Sequence, residues 1–340
     1  MGNATQIRQG RDNLVKLHGA WTAHCIHLGE GIYTFDEPQV PQADTRVRRC
    51  LQIVADMVLE PLDKIRVLDL ACLEGMFAIE FALHGARVVG IEGREVNLAK
   101  AECAKNVLSL NMLEFIHDDI RNLNRERFGR YDAILVLGIL YHLDAPDVME
   151  FAQKVYESCD RVVIIDTNFS LEPNASYTWK GNVYWGTYWE EHRPGSTDKE
   201  QLDALWASIV NQRSFVLTRA SLCNLLRHVG FTSVFECLNP YEYHNPNWPM
   251  AAKDDGHVVH KDRATFVAIK GRDQRVMSSP ITQATPEIDR PETPEYSTPT
   301  TGPGRAKQIN IRLPHRLLTL LPEPTTRVLR KIYHWARTLK

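Results

Sequence analysis

Hydrophobic and polar positions along the chain change period several times. Over residues 45–59, Val47, Leu51, Val54 and Val58 recur at helical spacing, and Asp44 or Thr45 can cap the start. A strict alternation of elements then begins. Residues 66–71 read as a strand, 75–84 as a helix stopped at Gly85, 87–91 as a strand and 96–108 as a helix. Residues 114–117, 132–138 and 161–165 follow as strands, with a helix over 146–158 before the last of them. The stretches 133–140 and 161–165 are almost continuously Val, Ile and Leu, as in strands buried on both faces. A helix over 218–228, with Thr218 as cap and Gly230 as stop, leads to two more strands at 231–238 and 264–270. The segment between those two is rich in Asn, Pro and Tyr and has no helical period. A parallel neighbour needs a crossover, so the last strand is expected to run antiparallel. The pattern predicts an α/β fold: a doubly wound, mostly parallel seven-stranded sheet with an antiparallel last strand.

Three stretches break the rhythm. Residues 1–44 are mixed, with Trp21, His24 and Tyr33 suggesting an N-terminal flap. Residues 169–213 carry Trp179, Trp185, Trp189, Trp206, Tyr177, Tyr184 and Tyr188 among polar residues, and read as an aromatic-rich insertion in a domain spanning 45–271. Residues 278–304 hold six Pro, nine Ser/Thr and four acidic residues with hardly any apolar side chain. Such a composition cannot bury enough surface to order itself, so a disordered linker is expected over 272–308. In the remaining 309–340, Val328, Leu329, Ile332, Tyr333, Ala336 and Leu339 fall on one face of a basic amphipathic helix.

Charge sharpens this division. The chain of 340 residues has a formal net charge of -2. Residues 305–340 hold nine Lys/Arg against Glu323 alone, a net +8, which leaves -10 on residues 1–304. The tail therefore suits an anionic membrane surface, an acidic partner or the chain's own body. The body is acidic overall, whereas nucleic-acid binders usually show a basic face, so no DNA partner is expected and RNA is disfavoured. Seven cysteines without a C-x-x-C fit reduced thiols in a cytoplasm. The start has neither signal-peptide regions nor the myristoylation pattern, which agrees with a cytoplasmic location. His24, Cys25 and His27 find no matching ligands at metal spacing, so no metal is expected.

The informative stretch is Val67-Leu68-Asp69-Leu70-Ala71-Cys72-Leu73-Glu74-Gly75 running into a helix. A strand, tight turn and helix in that order point backbone N–H groups into a crevice. The next strand ends at Glu92, 23 residues after Asp69, where a carboxylate can accept both hydroxyls of a ribose. Together they indicate a nucleoside-bearing cofactor.

From here the sequence resembles the class I S-adenosylmethionine-dependent methyltransferases over about residues 45–271. The family's Asp-x-Gly-x-Gly-x-Gly pattern aligns with Asp69, Ala71, Leu73 and Gly75, a Leu-Glu-Gly variant. Gly90-Ile91-Glu92-Gly93 matches the ribose end of the second strand, and Asp118-Asp119-Ile120 the acid at the adenine. Residues 131–138 match the fourth strand, and Tyr141-His142-Leu143 follows it as in small-molecule methyltransferases. The resemblance implies S-adenosylmethionine held by Asp69, Ala71, Cys72, Gly75, Glu92, Gly93, Asp119, Ile120 and Leu137. For catalysis His142 and His192 are the candidates. An imidazole near its ordinary pKa can take a hydroxyl proton at neutral pH. Glu190, Glu191 and Arg193 are candidate substrate contacts.

The reading that results is transfer of a methyl group to oxygen or nitrogen of a small molecule, such as a metabolite, sugar or natural product. Two alternatives stay open. One is a tRNA-modifying transferase using S-adenosylmethionine or a carboxylated derivative, which Leu140-Tyr141-His142 resembles. The other is a non-catalytic cofactor-binding protein, suggested by Leu73 where a glycine is usual. A nicotinamide dehydrogenase is disfavoured by the missing G-x-G-x-x-G.

Overall fold

The structure is a computed structural model that describes residues 3–36, 40–237, 262–274 and 286–288. The chain divides into two units, 1–292 and 293–340, and the second lies outside the described residues. The expected basic tail over 309–340 falls there too.

Along the chain come α1 (Ala4–His18), the hairpin β1 (His27–Gly29) and β2 (Ile32–Tyr33), and α2 (Val40–Val58). The alternating part follows as β3 (Arg66–Leu70), α3 (Met76–Leu83), β4 (Arg87–Glu92), α4 (Glu95–Leu108), β5 (Leu113–His117), α5 (Arg125–Phe128), β6 (Tyr131–Leu137), α6 (Asp147–Ser158) and β7 (Cys159–Asn168). Then come β8 (Ala175–Trp179), β9 (Asn182–Glu190), α7 (Asp198–Asp203), β10 (Arg213–Leu217), α8 (Arg219–Val229), β11 (Ser233–Cys237) and β12 (Arg263–Ile269).

The main sheet has seven strands in the order β11-β12-β7-β6-β3-β4-β5. The five neighbouring strands from β7 to the edge strand β5 are parallel, and β12 is antiparallel to both β7 and β11. The chain winds outward from β3 through β4 to β5, then returns to place β6 on the other side of β3. That reversal opens a crevice at the carboxyl ends of β3 and β6, where such sheets hold ligands. Strand residues alternate between two cores. Val67, Ala133, Leu135, Val162 and Ile164 pack with α2, α3 and α4, while Leu68, Ile134, Val136, Val163 and Ile165 pack with α6 and α8. Burial on both faces is why these strands are continuous Val/Ile/Leu runs.

The structure adds detail to three of the expected segments. The N-terminal segment carries a regular helix, α1, started by an Asn3/Gln6 capping box. The helix expected at 45–59 begins at Val40, so it crosses the expected boundary at residue 44. The expected aromatic-rich insertion at 169–213 carries strands for which no element was expected: β10, β9 and β8 form a three-stranded antiparallel sheet. Its turn has φ 48° at Lys180 and 81° at Gly181, the pair of positive φ values that a two-residue hairpin turn demands. One piece of the expected linker is also held in place. Asn224 Nδ2 donates to the Glu287 carbonyl at 2.9 Å, and the Glu287 N–H donates back to Asn224 Oδ1 at 3.0 Å.

Candidate active site

The turn between β3 and α3 carries Ala71 and Leu73 where the aligned pattern has glycines, and keeps only Gly75. Ala71 has φ 55° and Leu73 φ 52°, both in the left-handed region. Holding a side-chain residue there costs about 1–2 kcal/mol each. Gly75 also has positive φ, 83°, and a Cβ on it would lie 2.7 Å from Phe115 Cζ, so only glycine fits that position. The first turn of α3 is satisfied from outside the helix. The Met76 N–H donates to His24 Nδ1 at 3.2 Å and the Ala78 N–H to Asp69 Oδ2 at 3.1 Å. Asp69 is therefore turned inward, and burial pushes its carboxyl up to about 7, against the Ala78 bond and with help from Glu92. Cys72 is turned inward too. Its thiol is buried beneath Gly90, whose Cβ position is 3.0 Å from Cys72 Sγ. Its N–H and carbonyl are taken by the Ile91 carbonyl and the Gly75 N–H. Asp69 and Cys72 are both buried, and their contacts brace the loop from the β3 and β4 side.

Glu92 ends β4 and is 4% exposed. It accepts from the Leu73 N–H at 2.9 Å, the Arg94 N–H at 2.9 Å and Asn97 Nδ2 at 3.2 Å. Burial raises its pKa against these donors. A carboxylate offers about four acceptor positions, so three donors leave room for another. The neighbouring Asn97 Oδ1 is buried with no donor among the described residues. This spare acceptor capacity fits a group carrying adjacent hydroxyls, as a ribose does. Beyond Glu92, a Cβ on Gly93 would meet Ile209 Cδ1 at 2.9 Å. Arg94 donates to the carbonyls of Leu202, Ala204 and Ala207 at 2.9–3.0 Å. These contacts fold residues 201–209 over the end of β4.

At the end of β5, Asp119 caps a short helical turn and is ion-paired with Arg121, with Ile120 buried beneath. Asp118 is ion-paired with Arg127 and accepts from Asn122 Nδ2 at 2.8 Å. Leu137 closes β6 beside Asp166 and Phe77, in a small gap lined also by Arg46 and Thr265. Burial would raise the Asp166 carboxyl, but Arg46 and Arg263 hold it down at about 2.

His142 has a partner that its sequence neighbourhood does not reveal. It follows β6 in a short helical turn, 140–142, and its Nδ1 lies 2.9–3.0 Å from both oxygens of Glu191. The two side chains are 14% and 6% exposed. Glu191 also accepts from the Ser208 N–H at 2.7 Å, and Asn211 Nδ2 donates to the His142 carbonyl at 3.1 Å. Burial works to raise the Glu191 carboxyl, but the bonds from His142 and Ser208 outweigh it and hold it below its usual range. A carboxylate on Nδ1 fixes the ring and leaves Nε2 as the acceptor. Tyr141 stacks 4.3 Å from the His142 ring and lies 6.4 Å from Trp189.

His192 does not join this group. Its imidazole is buried and Nε2 sits 2.6 Å from the Ser208 carbonyl, which makes it a packing residue of the insertion. Glu190 and Arg193 are exposed. The aromatic insertion packs on the body through Tyr184, which is fully buried with its hydroxyl 2.9 Å from His228 Nδ1.

The N-terminal segment is fastened to the loop by Glu74, which sequence reading passed over. Glu74 is fully buried and accepts from the N–H groups of Thr22, Ala23 and His24 at 2.8–3.1 Å. Its charge is balanced by Lys100 at 3.2 Å. Burial pushes the His24 imidazole down to about 4, with Glu74 opposing and Arg46 assisting. Between about pH 6.5 and 4 the unfolded chain therefore binds a proton that the folded chain refuses, and stability falls as pH falls through that window. The shift corresponds to on the order of 3 kcal/mol in full. His24→Asn keeps an acceptor for the Met76 N–H and should shrink the drop in Tm between pH 7 and 5 by about 3–6 °C. Asp69 titrates in the opposite sense but is common to both proteins, so the difference isolates His24.

The sequence profile of a family described as a methyltransferase domain matches residues 42–235, more than half of the chain. Among curated proteins, a 23S rRNA (uracil(1939)-C(5))-methyltransferase RlmD from Shewanella halifaxensis is 32% identical over 176 residues, which are 44% of this chain and 40% of that protein. A ubiquinone biosynthesis O-methyltransferase from Bartonella tribocorum is 30% identical over 101 residues, 29% of this chain and 39% of that protein. The chain thus spans well under half the length of these relatives. Among solved structures, the N-terminal domain of EvdMO1, crystallised with SAH and D-fucose, superposes with a TM-score of 0.57 at 20% identity. It covers 80% of this chain and 98% of that domain, and it shows the same fold.

Proposed function

The chain belongs to the class I S-adenosylmethionine-dependent methyltransferases, and from that premise we propose that it methylates a hydroxyl group of a small polar molecule, with His142 as general base. The observation that carries this reading is the His142–Glu191 pair at the carboxyl edge of β6. When bound, S-adenosylmethionine supplies a methyl group on a positively charged sulfur. A neutral amine attacks such a carbon without help, whereas a hydroxyl must lose its proton as it attacks. His142 Nε2 receives that proton. Glu191 stays ionised, holds the ring's tautomer and stabilises the imidazolium that forms. Asp119 and Ile120 sit where the adenine is read, Glu92 and Gly93 where the ribose is read, and Ala71, Gly75 and Leu137 flank the remainder. Glu92 and Asn97 retain acceptor capacity for the ribose, which supports reading the Leu-Glu-Gly variant as compatible with binding.

The EvdMO1 domain, crystallised with a sugar, supports an acceptor rich in hydroxyls. The rRNA methyltransferase relatives are the observation for a second reading, transfer to RNA. Against it, RNA would have to approach a body of net -10. Incubation with a methyl-labelled cofactor and separate pools of polar metabolites, sugars and RNA decides between them. Label is expected in a small hydroxylated compound, and label confined to RNA would overturn this assignment.

The basic stretch at 309–340 we read as a tether to an anionic membrane surface, separate from the chemistry. Full-length protein is expected to pellet with anionic liposomes at low salt and to be released at high salt, and a chain ending at residue 274 to stay in solution. Equal behaviour of the two chains would remove the tether.

A further inference from the structure

We infer that Glu74 is a positioning residue for the cofactor loop: by strapping residues 22–24 onto it, Glu74 holds Ala71 and Leu73 in the left-handed conformation that glycines supply elsewhere. This rests on the reading that residues 71–75 bind S-adenosylmethionine.

The need for such a device is visible in the backbone. Ala71 at φ 55° and Leu73 at φ 52° occupy a region that side-chain residues leave readily when nothing holds them. The holding groups are equally visible. Glu74 lies between Leu73 and Gly75, both left-handed, and its carboxylate has no exposure to solvent. Oε1 accepts from the Thr22 N–H at 2.8 Å, the Thr22 hydroxyl at 3.1 Å and Lys100 Nζ at 3.2 Å. Oε2 accepts from the Ala23 N–H at 3.1 Å and the His24 N–H at 3.0 Å. Lys100 itself reaches back to the Ala20 carbonyl at 2.6 Å. Five donors from two separate elements thus converge on one side chain of the loop.

Rotating Leu73 out of the left-handed region would swing the Glu74 side chain away from all five donors and bury its charge unpaired. The same rotation would turn the Leu73 N–H away from Glu92 Oε2, 2.9 Å distant. Through that bond the anchor reaches the ribose-side carboxylate. Glu74 acts on the cofactor only through the loop, and it replaces conformational freedom that glycine would otherwise provide.

The test is a rescue. Glu74→Gln combined with Lys100→Met keeps volume, leaves no buried charge unpaired and removes one of the two acceptor oxygens. Calorimetry with S-adenosylmethionine is expected to show affinity at least about tenfold weaker in this variant. Adding Leu73→Gly to it should recover about fivefold or more, and the same glycine in the parent protein should gain far less. Ala23→Pro deletes one N–H donor without touching a buried charge, and serves if the first variant does not fold. Its smaller loss, about threefold, should be rescued by Leu73→Gly in the same way. Equal effects of Leu73→Gly in all backgrounds, or full affinity in a folded Glu74→Gln/Lys100→Met protein, overturn the proposal. A parent protein that binds no S-adenosylmethionine refutes instead the cofactor reading on which it stands.

Discussion

Replacing His142 with Gln or Ala will lower the rate of methyl transfer by about 10²–10⁴-fold, the usual contribution of a positioned base, while the affinity for S-adenosylmethionine changes little. The reason for the split lies in the geometry. His142 and Glu191 engage each other at the end of β6, whereas the loop at 71–75 and Glu92 make their own contacts at β3 and β4. Glu191→Gln should give a smaller loss of rate, because the ring stays in place but loses the charge that stabilises its protonated form. Single-turnover kinetics alongside calorimetry separate the two quantities. Full turnover of both His142 variants between about pH 6 and 9 would make this histidine structural and point to an amine acceptor.

Replacing Glu92 with Ala will weaken S-adenosylmethionine binding by roughly 10–150-fold, the loss expected when a charge-assisted bond to a ribose hydroxyl is removed. The structure adds a second route to the same loss. Glu92 also holds the Leu73 N–H and the Arg94 N–H, so its removal loosens the strained loop and the base of the segment that Arg94 fastens. Glu92→Gln retains part of this scaffold and should fall between Ala and the parent. Unchanged cofactor affinity in Glu92→Ala would remove the ribose assignment at the end of β4.

The main sheet was legible because its strands are buried on both faces, and such strands have little choice but to be continuous runs of Val, Ile and Leu. The antiparallel β12 was legible from the sequence before it, which has no helical period for a crossover. The small sheet of β8, β9 and β10 was not. Its hairpin turns on Lys180-Gly181, and lysine is a weak marker of a turn that needs two positive φ values. Helix α1 buries little besides Ile7, so its apolar stripe is faint, although the Asn3-to-Gln6 capping box marked its start. Cofactor positions along β3 and β4 could be read because a strand, a turn and a helix fix them locally. The pairing of Glu191, expected only as a substrate contact, with His142 and the anchoring by Glu74 could not, since the partners lie 49 and 50–52 residues away. His192 was drawn toward the chemistry by its neighbours in sequence, and the fold turned it inward.

The central claim is that this methyltransferase works on a hydroxyl with His142 as its base. The most direct measurement is single-turnover transfer from an isotopically methyl-labelled cofactor to a panel of hydroxyl-bearing sugars and metabolites, with the labelled atom located by NMR. The parent protein is predicted to form a methyl ether, and His142→Gln to form it at least about a hundredfold more slowly while binding the cofactor as the parent does. A label found on nitrogen or in RNA, or ether formation at the parent rate in His142→Gln, would contradict it.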